Sequence, residues 1–284
     1  MCENIAQLLL EWYDKNKRTL PWRDKNNAYY TWVSEIMLQQ TRVEAVKPYF
    51  RRFIRELPDV ASLAAAPEER IVKLWEGLGY YSRVRNMQKA AIRVMEEYNG
   101  KIPEDFETLL SLKGIGRYTA GAISSIAYGH KVPAVDGNVL RVYSRLTESR
   151  EDIMKQSVRK SVEEQLQEIM PEDRPGDFNQ AMMEIGAVVC VPNGKAKCEE
   201  CPLGRFCLAR KHGTVEELPV KAPKKARKIE NSACNTGWRS HRDPQTAAGG
   251  ASGRTLRNSE CRRPPDTEGS SHTGKKYWSG ASPY

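Results

Sequence analysis

"LLSLKGIGRYTAGAI", residues Leu109 to Ile123, reads as a helix, a Gly114-Ile115-Gly116 turn and a second helix. Glycine lets the backbone turn tightly and lets its N–H groups approach a ligand closely. Those groups, with the N-terminus of the following helix, form an anion site suited to a DNA phosphate. Taken alone, a Gly-x-Gly turn fits an ordinary interhelical connection better. The next segment of the chain changes the odds. "PAVDGNVLRVYSRL" places an acidic residue, Asp136, in a Gly/Asn-rich turn ahead of another helix.

The flanking sequence is built from the same kind of element. "ENIAQLLLEWYDKN", "YYTWVSEIMLQQTRVEAVKPYFRRFIREL", "SRVRNMQKAAIRVMEEY", "RYTAGAISSIAYG" and "MKQSVRKSVEEQLQEIM" repeat apolar residues at helical spacing. Gly, Pro, Asn and Asp separate such segments, as in "YNGKIPED" and "PEDRPGD". Alternating strand patterns are nearly absent, so residues 1–212 are expected to form an all-α domain. A basic linker is expected over 213–230, containing "PVKAPKKARK". Residues 231–284 hold no Ile, Val, Met or Phe and a single Leu, Leu256. Such a segment cannot bury enough apolar surface to offset its ordering entropy, and a disordered C-terminal tail is expected.

The chain of 284 residues carries a formal net charge of +9, of which the tail from Asn231 onward holds +4. That balance suits a polyanionic partner, although charge alone carries little weight. The N-terminus lacks a secretory pattern and no apolar run is long enough to span a bilayer, so no membrane association is expected. In a reducing cytoplasm, the four cysteines of "CVPNGKAKCEECPLGRFC" (Cys190 to Cys207) are expected to bind metal rather than pair as disulfides. Zinc and an iron–sulfur cluster both suit four thiolates.

The order of hairpin, Gly/Pro-bounded link and acidic turn resembles the helix-hairpin-helix DNA glycosylases. "LPWR" (Leu20 to Arg23), "SEIMLQQTRV" (Ser34 to Val43), "GLGYYSRVRN" (Gly77 to Asn86), "VDGNVLRV" and the cysteine stretch extend the match. Together they resemble the adenine DNA glycosylase, or MutY, family over roughly residues 8–212, in the family's order. The fold this implies is two α-helical subdomains with an active-site cleft between them. The implied partner is double-stranded DNA with adenine opposite 8-oxoguanine or guanine, met by a monomer in the bacterial cytoplasm and nucleoid. The resemblance also favours a [4Fe–4S] cluster on Cys190, Cys198, Cys201 and Cys207, in a basic loop carrying Lys195, Lys197 and Arg205. Seven residues separate Cys190 from Cys198 where six is usual. The Pro-Asn-Gly of "VPNGKAK" can bulge to absorb the extra one.

The same resemblance assigns roles. Glu35 protonates adenine N7 and then assists the nucleophile, its apolar neighbours raising its pKa. Asp136 stabilises the sugar cation or attacks it, and Asn138 orients the site, following the two-carboxylate logic of glycoside hydrolysis. Bifunctional relatives carry lysine where this chain has Tyr118, which cannot form an imine, so a monofunctional enzyme that leaves an abasic site is expected. Trp22, Arg23, Leu38 and Tyr118 are expected to line the pocket for the extruded base. Gln40, Thr41 and Tyr80 are expected to wedge into the duplex, and Gly114 and Gly116 to hold phosphate. Gln180 stands where the family often carries glutamate.

Family members normally add a C-terminal NUDIX-like domain that recognises 8-oxoguanine. Written in chosen codons and read one nucleotide later, "CNTGWRSHRDPQTAAGGASGRTLRNSE" can become an alternating, apolar-rich sequence of that kind. An out-of-frame tail is therefore expected, with weakened 8-oxoguanine discrimination. Two alternatives stay open: a glycosylase for another mismatched base, such as thymine, and a catalytically silent iron–sulfur DNA-binding protein.

Overall fold

The apolar repeats become α1 (Cys2–Asn16), α2 (Ala28–Leu38), α3 (Val43–Glu56), α4 (Val60–Ala65), α5 (Glu68–Leu74) and α6 (Ser82–Glu97). Then come α7 (Phe106–Ser111), α8 (Arg117–Ala122), α9 (Gly137–Thr147), α10 (Gln156–Ile169), α11 (Pro175–Val188) and α12 (Leu208–His212). The structure is a computed structural model that describes residues 2–23 and 27–222, and no strand occurs among them. The all-α expectation holds. Several helices start on a side chain that takes up otherwise orphaned N–H groups. Asn27 accepts from Tyr29 and Tyr30, Asp59 forms a reciprocal capping box with Ser62, and Asp105 caps α7.

The helices bury two separate apolar cores. Leu20 through Ile123 supply the first, centred on Trp32, Phe50, Phe53 and Trp75. The second joins α1 to α9, α10 and α11 through Leu9, Tyr13, Leu140, Phe178 and Ile185. The N-terminal helix thus packs with the C-terminal half of the domain. Each fully buried Leu or Phe contributes roughly 1.5–3 kcal/mol, so neither core is incidental. Two glycines of the second half admit contacts that no side chain would allow. A Cβ on Gly121 would lie 2.3 Å from the Pro133 carbonyl, and one on Gly186 would lie 2.6 Å from the Asn138 Cβ.

Three expectations change in detail. The stretch from Tyr29 to Leu57 is two helices rather than one, because Gln40 takes a left-handed conformation (φ 58°) that ends α2 and redirects the chain into α3. The segment after Tyr118 is also not one regular helix, since α8 passes into a π-helical turn over Ile123–Ala127. Part of the segment expected as a linker from 213 is tied to the helical domain. Leu218 is buried and accepts from Arg145 Nε, and Ile153 N–H donates to the Val220 carbonyl. The tail expected over 231–284 lies outside the described residues. No helix among the described residues is long and apolar enough to cross a membrane.

Candidate active site

Glu35 sits in the middle of α2, buried among Trp32, Val33, Ile36 and Met37. Tyr118, at the start of the hairpin's second helix, donates its hydroxyl to Glu35 Oε2 at 2.5 Å and lies 3.5 Å from Met183 Sδ of α11. Asp136, ahead of α9, is close enough that its charge acts on both Glu35 and Tyr118. The two carboxyl groups therefore lie within electrostatic reach of each other, although 101 positions separate them in "SEIM" and "VDGN". Burial pushes the Glu35 carboxyl up to about 7, the Tyr118 hydroxyl and the Arg23 guanidinium opposing that shift and the Asp136 charge adding to it. Glu35 can thus hold a proton near neutrality.

Asp136 has a second task. Its Oδ1 accepts from the Val139 N–H at 2.8 Å and so caps α9, while Oδ2 accepts from Asn138 Nδ2 at 2.7 Å. Burial raises its pKa above the ordinary range, against these bonds, which favour the ionised form. Asn138 is held in turn by Arg141, whose Nη2 donates to Asn138 Oδ1 at 2.9 Å and to the Gly186 carbonyl at 2.8 Å. The Asn138 amide is thereby oriented with its N–H toward the carboxylate.

Beside this pair lies a buried ion cluster that sequence reasoning missed. Glu184 of α11 is 1% exposed, and it binds Arg18 through Nε at 2.5 Å and Nη2 at 3.1 Å and Arg23 through Nη2 at 2.9 Å. Burial works to raise its pKa, but the two guanidiniums outweigh it and hold the carboxyl below the ordinary range. Gln180, singled out from the sequence, lies one turn earlier on α11 and is partly buried. The available signal was an acid inside the otherwise apolar "AMMEIGA", with two arginines in "KRTLPWR". Trp22 is buried in the first core, edge-on to Phe50 at 5.4 Å, and Leu38 packs against the same core.

The hairpin and wedge residues fall at turns. Gly114 takes φ +84°, whereas Gly116 is extended at φ −100° and caps α8, so only the first needs the left-handed freedom of glycine. Both are exposed. Gln40 and Tyr80 also take positive φ, 58° and 47°, and Tyr80 is 64% exposed. Thr41 is partly buried beside Gln40.

The four cysteines converge. Cys190, Cys198, Cys201 and Cys207 line one cavity with Arg145, none of them in a disulfide. Arg145 Nη1 lies 3.2 Å from Cys190 Sγ, an arrangement that suits thiolate charge. Gly194 takes φ +81° within the long first gap, where the bulge was expected. Among the described residues, no set of three or more His, Cys, Asp or Glu is drawn tightly enough to hold a single metal ion. Four converging thiols suit either a tetrahedral zinc or an iron–sulfur cluster.

Residues 33–171 match the HhH-GPD superfamily base excision DNA repair protein family. An adenine DNA glycosylase of Rattus norvegicus is 44% identical over 237 residues, covering 80% of this chain and 45% of that protein. One of Homo sapiens is 43% identical over 239 residues, covering 81% and 44%. One of Buchnera aphidicola is 40% identical over 222 residues, covering 78% and 63%. The chain thus spans about half the length of the mammalian relatives it matches. Among solved structures, a thermostable thymine-DNA glycosylase superposes with TM-score 0.68 at 26% identity, covering 74% of this chain and 97% of that one. A non-covalent endonuclease III–DNA complex gives 0.62 at 26% identity, covering 75% and 98%. Over about 80% of its length the chain is thus similar to adenine DNA glycosylases, and its residues 33–171 carry the match to the HhH-GPD superfamily of base excision DNA repair proteins.

Proposed function

We propose that the chain is a monofunctional adenine DNA glycosylase that removes adenine mispaired with 8-oxoguanine or guanine in duplex DNA. The observation that carries this reading is the pairing of buried Glu35 with partly buried Asp136, the Glu35 carboxyl being raised to about 7. In the proposed reaction the protonated Glu35 gives its proton to adenine N7. The C1′–N9 bond then breaks, and its electron pair leaves with the base. Asp136 faces the cationic sugar, a water adds at C1′, and ionised Glu35 takes up the water's proton, leaving an abasic site. Tyr118 has no amine with which to form an imine, so strand cleavage is not part of the scheme.

Arg23 and the ion cluster around Glu184 offer polar groups beside this centre, while exposed Tyr80 and Gln40, with partly buried Thr41, are the wedge against the duplex. The proposed phosphate contact is the Gly114–Gly116 turn. Cys190, Cys198, Cys201 and Cys207 would hold a [4Fe–4S] cluster, whose contribution is to shape the loop of Lys195, Lys197 and Arg205 against DNA. The protein acts as a monomer in this reading.

The test is incubation of purified protein with duplexes in which adenine faces 8-oxoguanine, guanine or thymine, with and without subsequent alkali treatment. Adenine release opposite 8-oxoguanine and guanine, with strand breaks only after alkali, is the expected result. Breaks before alkali overturn the monofunctional assignment. Release of a different base assigns the chain to another mismatch, and binding without product makes it a DNA-binding protein.

A further inference from the structure

Arg83 of α6 joins two loops that the sequence keeps far apart. Its Nη1 donates to the carbonyls of Ile36 (2.8 Å), Met37 (3.3 Å) and Gln39 (2.6 Å), and its Nη2 to those of Leu78 (3.1 Å) and Gly79 (3.2 Å). The first three are carbonyls at the C-terminal end of α2, which have no intrahelical partner and favour a cation. The other two belong to the turn between α5 and α6. The guanidinium also lies 5.4 Å from the Trp75 ring centroid and 5.7 Å from that of Tyr80. Immediately beyond the bonded carbonyls stand Gln40 and Tyr80, two non-glycine residues with left-handed backbones. Such conformations persist only where the surroundings over-determine them.

We infer that Arg83 is a positioning residue that holds the Gln40 and Tyr80 loops in one preset geometry for entering the duplex, and ties that geometry to the helix carrying Glu35. The inference rests on the wedge role proposed for Gln40 and Tyr80. A planar fork suits the task because its donors diverge toward both loops at once, whereas a lysine ammonium is a compact point charge. The hydrogen bonds of Arg83 go to backbone carbonyls and not to the carboxyl of Glu35 or Asp136, so its effect belongs to extrusion of the base rather than to cleavage.

The experiment compares wild type and Arg83→Lys on two substrates under single-turnover conditions. In one, adenine is paired with 8-oxoguanine in a duplex; in the other it is unpaired in a single-stranded oligonucleotide. A 2-aminopurine next to the adenine reports unstacking. The variant is expected to be roughly a hundredfold slower on the paired substrate, with a lost fluorescence rise and a near-normal rate on the unpaired one. Equal losses on both substrates, or none on either, overturn the inference. Hydrogen exchange on the wild type gives a test that no folding defect in a variant can confound. The Thr41 and Leu78 amides, bonded to the Leu38 and Trp75 carbonyls, should be protected before DNA is added. Protection arising only on DNA binding overturns the preset geometry. If wild type itself neither unstacks the probe nor releases adenine, the glycosylase reading fails, which is a separate result.

Discussion

Glu35 and Glu184 are both glutamates buried in helices, 6% and 1% exposed, yet they end in opposite states. Glu35 meets a single hydroxyl and the negative charge of Asp136, and its carboxyl rises to about 7. Glu184 meets two guanidiniums and stays ionised, below the ordinary range. Burial is common to both; the partner decides the charge. One acid is thereby kept ready to give up a proton, while the other becomes a fixed anion that organises Arg18 and Arg23.

The sharpest way to break this contrast is through turnover. Glu35→Gln keeps the side chain's shape but has no proton to give, and single-turnover adenine release should fall roughly 10²–10⁴-fold with duplex affinity unchanged. An unchanged rate would return Glu35 to a packing role. Glu184→Gln should act on stability instead. It leaves two guanidiniums facing an uncharged amide, and although Arg18 is partly exposed, unfolding by denaturant should show a loss of about 3 kcal/mol. A loss below about 1 kcal/mol would mean that water already screens the cluster.

Stability against pH separates the two acids further. The folded pKa of Glu35 lies above its ordinary 4.5, so its contribution is full below that value and is lost as pH rises through about 7. That of Glu184 is depressed, so its contribution is present above the ordinary value and is lost as pH falls. Glu35→Gln should therefore match wild type at about pH 4 and exceed it by on the order of 2 kcal/mol at about pH 8, measured by denaturant titration. Equal stabilities under the alkaline condition would contradict the raised pKa. The smallest effect concerns Tyr118→Phe. Its hydroxyl bond favours ionised Glu35, so removing it raises the acid's pKa further. The descending limb of the rate–pH profile should move up by about one unit, and a shift downward would reverse the assigned role of the bond.

Much of this was legible in the chain. Periodicity exposed the helices because their apolar faces are long, and Asp136 stood out as the acid in a Gly/Asn turn. Glu35 was assigned through the family resemblance, with apolar residues on both sides in support. Other features depend on contacts that no local pattern encodes. The break at Gln40 involves neither glycine nor proline, so "QQTRV" reads as helix until Arg83 is seen gripping the carbonyls before it. Glu184 hides in an apolar helix, and its partners lie more than 160 positions away. The union of α1 with the C-terminal core is equally nonlocal.

Asp136 begins a helix with the same carboxylate that is proposed to face the cationic sugar. A neutral residue able to start a helix, such as asparagine, can keep the architecture while silencing the chemistry. An aliphatic one removes both together. Helix start and reactivity at this position thus draw on one carboxylate, and substitutions here are constrained twice over.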